Sequence, residues 1–122
     1  MTEHVDLAVV AARAADEKGG TDILVLEVGE ILEICETFVV ITARNTRLVR
    51  AIAEEIQEHL WLGHDRRPIS VEGIDTNRWV LVDYGDLIVH VFLDTEREFY
   101  RIERLYRDAP EVAWAPPVAD RA

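Results

Sequence analysis

Between Trp79 and Phe92 the chain places Asp83, Asp86 and His90 in one short stretch, WVLVDYGDLIVHVF. Two carboxylates and an imidazole could hold a metal ion or pass a proton. Spacing argues against the metal. On one strand face, Asp86 and His90 would stand about 13 Å apart at about 3.3 Å per residue, whereas ligands of one ion each approach within about 2 Å. Asp83 and Asp86 flank Gly85, where carboxylates commonly cap a turn by accepting from backbone N–H groups. His90 alternates with apolar neighbours and reads as a buried or half-buried packing residue with one hydrogen bond. His4, His59 and His64 match no ligand spacing. Ser70 is the one serine and lacks a glycine-flanked elbow, and the six glycines form no phosphate-cradling motif. Cys35 is the single cysteine, so no internal disulfide or cysteine zinc cluster forms, and it reads as a core filler beside Ile34. The expectation is a protein that is not an enzyme and takes no cofactor.

Recognition fits these residue types better. Trp79, Tyr84, Tyr100 and Arg97 are the kinds that anchor protein interfaces, and Glu72, Asp83 and Asp86 would select a basic partner. A plainer reading stays open from composition alone, with Trp79 in the core and Tyr100 a single exposed aromatic. The formal charge of −11, from 24 acidic against 13 basic residues, disfavours broad nucleic-acid binding. It would steer the chain toward a basic surface, or simply keep it soluble. The first residues lack a secretory pattern and no apolar run nears a membrane span, which predicts a cytoplasmic protein.

To position that stretch the chain needs a sheet. TFVVITA (Thr37 to Ala43) is apolar on both faces and reads as a central strand, with Ile23 to Val28 as another. Trp79 to Tyr84 and Leu87 to Leu93, separated only by Gly85-Asp86, predict a tight antiparallel hairpin. Arg67 to Glu72 is a weaker strand candidate, limited by Pro68 to an edge or to starting late. Helical spacing of Val5, Ala8, Val9 and Ala12 predicts a first helix stopped by Gly19-Gly20. Asn45 or Thr46 caps a second, with Val49, Ile52, Ala53, Ile56 and Leu60 buried and Gly63 as its stop. Thr95 and Glu98 match a capping box for a last helix that buries Phe99, Ile102, Leu105 and Tyr106. Pro110, Pro116 and Pro117 then predict a loose tail. The order α-β-β-α-β-β-β-α gives an α/β domain with a mixed five-stranded sheet flanked by helices, over residues 1–109, and a flexible tail over 110–122. With 49% hydrophobic residues, a 122-residue chain suits one core.

These segments together resemble a known family. Asp22 to Val28 (DILVLEV), Phe38 to Ala43 (FVVITA) and the helix through Arg47, Val49, Ala51 and Ile52 are similar to the front half of the ribosome silencing factor, or Iojap, family. Glu72-Gly73, Trp79 to Asp86 (WVLVDYGD), Ile88 to Phe92 (IVHVF) and Arg97 to Leu105 (REFYRIERL) resemble its back half. The likeness runs from about Val5 to Pro110. It departs at Cys35-Glu36, where Thr-Asp is usual. Ala43-Arg44-Asn45-Thr46 replaces Gly-x-Ser, and Leu105-Tyr106 replaces Leu-Trp. The resemblance implies a nucleotidyltransferase-like sheet without the catalytic carboxylates. It also implies binding to the large ribosomal subunit at ribosomal protein fourteen, which blocks joining of the small subunit and represses translation. Homodimers are common in the family, and direct DNA or membrane binding is not expected. The surface residues it points to are Trp79, Asp83, Tyr84, Asp86, His90, Arg97 and Tyr100, and acidic Glu72 joins them as a partner-binding candidate. The alternatives are a nucleotidyltransferase-like enzyme and a dimeric acidic adaptor for another basic protein.

Overall fold

Seven consecutive buried residues make β2 (Thr37–Ala43) the strand around which the chain is built. The computed structural model describes residues 3–32 and 35–116. β1 (Thr21–Glu27) pairs with β2 antiparallel, and β5 (Leu87–Leu93) pairs with its other edge in parallel. β4 (Trp79–Asp83) and β3 (Ser70–Glu72) continue antiparallel, giving a five-stranded mixed sheet of order β1-β2-β5-β4-β3. The weak strand is the edge, and it starts late, at Ser70, two residues past Pro68. Asp83 Oδ1 accepts from Gly85 N at 2.7 Å in the β4–β5 turn, where Gly85 takes a φ of 91° that side chains rarely adopt.

Period-two alternation sorts the strands into two faces. Val39, Ile41, Val80, Val82, Val89 and Val91 pack against α1 (Glu3–Lys18) and α2 (Thr46–His64) in the larger core. Small residues at Ala8, Ala11, Ala12 and Ala15 let α1 lie close. The buried stripe of α2 is Val49, Ile52, Ala53, Ile56 and Leu60, and Asn45 caps it by accepting from Leu48 N at 2.8 Å. α2 runs one residue past Gly63, and Asp65 in the left-handed region ends it. On the opposite face Phe38, Val40 and Phe92 form a smaller core with Leu26, Val28, Cys35, Ile102 and Ala109.

The carboxy-terminal part differs from the expectation. α3 (Asp94–Tyr100) and α4 (Ile102–Leu105) replace the single last helix. The Thr95–Glu98 capping box does not form: Leu93 holds the N-cap position, Thr95 Oγ1 donates to Glu96 Oε1 at 2.6 Å, and Glu98 pairs with Arg101. Arg101, at a φ of 44°, breaks the helix. The break turns Ile102 inward and sets Tyr106 on Phe38 with ring centroids 5.2 Å apart. Phe99 and Leu105, expected in a buried stripe, are 79% and 73% exposed.

The start of the expected tail is docked rather than loose. Glu27 N donates to Pro110 O at 2.9 Å and Val112 N to Val25 O at 2.8 Å, so this segment closes the free edge of β1. Trp114 Nε1 donates to Ile23 O at 3.1 Å, and Arg13 Nε to Trp114 O at 2.7 Å. Such a cover protects an edge that would otherwise pair with other chains. Pro117 and the remainder of the tail, and Ile34, lie outside the described residues.

Candidate functional site

The smaller core covers only part of its face. Across β5, β4 and β3 the register brings Trp79 opposite Phe92, Leu81 opposite His90 and Asp83 opposite Ile88, with Glu72 opposite Leu81 and Ser70 opposite Asp83. Trp79, Leu81, Asp83 and Ile88 are half-buried and Glu72 is exposed. Their neighbours on the helix-covered face, Val80, Val82 and Val89, are fully buried. One sheet therefore presents a packed face and, behind its β5-β4-β3 half, an open one of aromatic, aliphatic and acidic side chains.

Trp79 is the centre of this face. Its ring stacks on Phe92 at 4.6 Å and 29° and meets Tyr100 at 4.9 Å and 47°. Its indole Nε1 donates to His90 Nδ1 at 3.2 Å. Tyr100 is 49% exposed and in turn touches Phe99 at 5.0 Å, so the aromatic surface runs from the sheet onto α3. Aromatic contacts of this geometry contribute about 0.5–1.5 kcal/mol beyond area burial and hold rings rigid.

His90 lies beneath, 5% exposed, with the Phe38 ring 4.7 Å away. Burial lowers its pKa from 6.5 to about 4, so the ring is neutral near pH 7. Because Nδ1 accepts from Trp79, the proton of the neutral ring sits on Nε2. Nε2 has no partner.

The remaining candidates do not join the face. Tyr84 is 4% exposed and packs into the helix-side core, and burial raises its pKa to about 12 although the Arg66 guanidinium opposes the shift. Asp86 stands at the turn, where its Oδ1 accepts from Arg66 Nη2 at 2.9 Å. Arg97, expected as an interface anchor, is 8% exposed. Its Nη1 donates to Asp22 O at 2.8 Å and to Thr42 Oγ1 at 2.7 Å, and its Nε to Glu103 Oε1 at 3.2 Å. Asp22, at a φ of 47° where the β1–β2 register shifts, turns its carbonyl toward that guanidinium. Arg97 thus pins β1 to β2. Sequence reasoning missed Leu81, Ile88 and Phe99. The first two were recoverable from alternation with Trp79 and His90, whereas Phe99 was hidden by the break at Arg101.

Among the described residues no cluster of three or more His, Cys, Asp or Glu could hold a metal ion. Among them, too, no helix is long and apolar enough to cross a membrane. The geometry can bind: it offers a rigid aromatic centre flanked by Asp83 and Glu72.

Comparison with known proteins agrees with the resemblance of the segments. A family model described as ribosomal silencing factor during starvation matches residues 1–122. A ribosomal silencing factor of Bacillus subtilis is 41% identical over 104 residues, covering 83% of this chain and 85% of its own. A mouse protein named for mitochondrial assembly of the ribosomal large subunit is 28% identical over 84% of this chain and 44% of its own. A crystal structure of a Chromobacterium violaceum protein superposes with a TM-score of 0.82 at 29% identity, covering 95% of each chain. The chain belongs to the ribosomal silencing factor family.

Proposed function

We propose that the open face of β5, β4 and β3 docks on the large ribosomal subunit at ribosomal protein fourteen, bars the small subunit from joining, and so represses translation. The observation that carries this reading is the Trp79 cluster, half-exposed on a sheet whose other face is sealed. Aromatic centres with a polar rim are where binding energy concentrates in protein interfaces. With a formal charge of −11 the chain is repelled by RNA phosphate and drawn to a basic protein. The names of its relatives point to the ribosome, and in one case to the large subunit. Steric exclusion needs no catalytic group. In this reading Trp79, Asp83, Glu72 and Tyr100 touch the partner, while His90, Tyr84, Asp86 and Arg97 hold the face in shape. A cytoplasmic homodimer that leaves this face free fits the same reading.

Co-sedimentation with isolated large subunits, followed by addition of small subunits, tests it. The expected result is pelleting with large subunits and suppression of whole ribosomes. If the protein stays in the supernatant at micromolar concentration, the face serves another basic partner and the adaptor reading replaces this one.

A further inference from the structure

We propose that His90 is a positioning residue for docking: its Nδ1 lone pair holds the Trp79 indole in the orientation that the partner meets. This rests on the docking reading above, and adds to it a residue that itself stays out of contact with the partner.

Three observations carry the assignment. First, Trp79 opens β4 and is only half-buried, so its ring needs more than the Phe92 and Tyr100 contacts to fix one orientation. Ring contacts limit the plane of an indole but tolerate sliding. A hydrogen bond from Nε1 at 3.2 Å fixes which edge of the indole points toward His90. Second, the acceptor is a ring nitrogen at a buried sheet position whose same-strand neighbours on that face are Ile88 and Phe92. Phenylalanine or leucine would fill that space but accept nothing. Third, His90 carries a buried Nε2–H without a partner among the described residues, a cost that an apolar residue would not incur. A residue kept for packing alone has no use for that cost. One kept for its Nδ1 must carry it, because the imidazole brings both nitrogens. Burial keeps the ring neutral, so Nδ1 remains an acceptor around pH 7.

The test uses the full chain and two variants with opposite defects. His90→Phe keeps the ring volume and removes the acceptor. His90→Asn loses volume but places an amide oxygen where Nδ1 stood. Packing alone predicts that stability and affinity for large subunits fall together. Positioning predicts that they cross. His90→Phe is then at least as stable as the parent yet binds large subunits about tenfold more weakly, the equivalent of one lost hydrogen bond. His90→Asn melts lower yet binds within about threefold of the parent, since its acceptor is retained.

The indole N–H resonances give a readout independent of the ribosome. Of the three tryptophans, only Trp79 should shift in His90→Phe and return toward the parent position in His90→Asn, while Trp61 and Trp114 stay put. If the parent binds and His90→Phe binds equally, or leaves the Trp79 resonance unmoved, the positioning role is overturned and the docking reading stands. If the parent itself fails to pellet with large subunits, the docking reading falls and takes the docking role of His90 with it. Should His90→Phe not fold, His90→Asn still decides: a tenfold loss of binding, or a displaced Trp79 resonance, overturns the proposal.

Discussion

The two faces of the sheet are built from the same strands by different rules. Toward α1 and α2 the four longer strands offer mostly valine, isoleucine, leucine or alanine, and these are buried, while Val71 of the short edge strand is half-buried. On the other face the same strands offer Phe38, Thr42, Trp79, Asp83, His90 and Phe92, which form rings, hydrogen bonds and a partial cover. The first face holds the fold. The second carries a half-buried tryptophan and an imidazole nitrogen without a partner among the described residues, while the first, though apolar, also buries the Tyr84 hydroxyl without one. If the open face is the docking surface proposed above, strand alternation divides stability from recognition, and substitutions on the two faces should separate them.

The largest effect belongs to the sealed face. Ile52→Ala removes a fully buried side chain from α2 and is expected to cost about 3–4 kcal/mol of unfolding free energy. At a temperature where the variant remains folded, its affinity for large subunits should equal the parent's. Chemical denaturation and co-sedimentation of the same sample check both halves. A loss of affinity per folded molecule would show that the faces are coupled.

How far the sequence revealed each face follows from the same division. The sealed face was legible because period and apolarity are its whole content: the stripe of α2 from Val49 to Leu60, the buried β2 and the hairpin at Gly85-Asp86 all lie where spacing puts them. The open face was legible only in part. Trp79, Asp83, Glu72 and Tyr100 come together, but Tyr84, one residue past the end of β4, falls on the sealed side. Arg97 looked like an exposed anchor because nothing local announces that a register shift at Asp22 will turn a carbonyl toward it. The break at Arg101 has no glycine to mark it, so one long helix was the natural expectation. The docking of residues 110–114 on β1 depends on partners some eighty or more positions earlier, beyond any local pattern.

The next effect in size depends on pH. In the unfolded chain His90 titrates near 6.5, whereas burial lowers the folded value to about 4. Between these values the unfolded state binds more protons, so stability is fully present above about pH 6.5 and is lost as pH falls toward 4. The loss is on the order of 3 kcal/mol for one such group. Carboxylates titrate over part of the same range, so the contrast with His90→Phe isolates the histidine: the variant should lose less stability between pH 7 and pH 4. Equal losses would place His90 in contact with solvent.

Trp79→Ala should act on the open face in the opposite sense to Ile52→Ala. Removing the central ring is expected to weaken binding to large subunits by about 2 kcal/mol, roughly thirtyfold. Some stability is lost as well, because Phe92 and Tyr100 lose their ring contacts. Binding per folded molecule is therefore the quantity to compare. An unchanged affinity would move the docking surface away from the Trp79 cluster.

The smallest effect is the most discriminating, because Asp83 has two roles that one substitution can separate. Its Oδ1 accepts from Gly85 N and so holds the β4–β5 turn, while its charge lies on the open face opposite Ser70, two residues along β3 from Glu72. Asp83→Asn keeps the acceptor and removes the charge. Unfolding free energy should change by less than about 0.5 kcal/mol, as for a surface substitution that preserves its hydrogen bond. Affinity for a basic partner should fall by less than about 1 kcal/mol, and the salt dependence of association should flatten, since a rim charge acts mainly on the encounter rate. Asp83→Arg reverses the charge and should weaken binding further, most strongly at low salt. If Asp83→Asn leaves both stability and salt dependence unchanged, Asp83 serves the turn alone, and the acidic selection of the partner falls to Glu72.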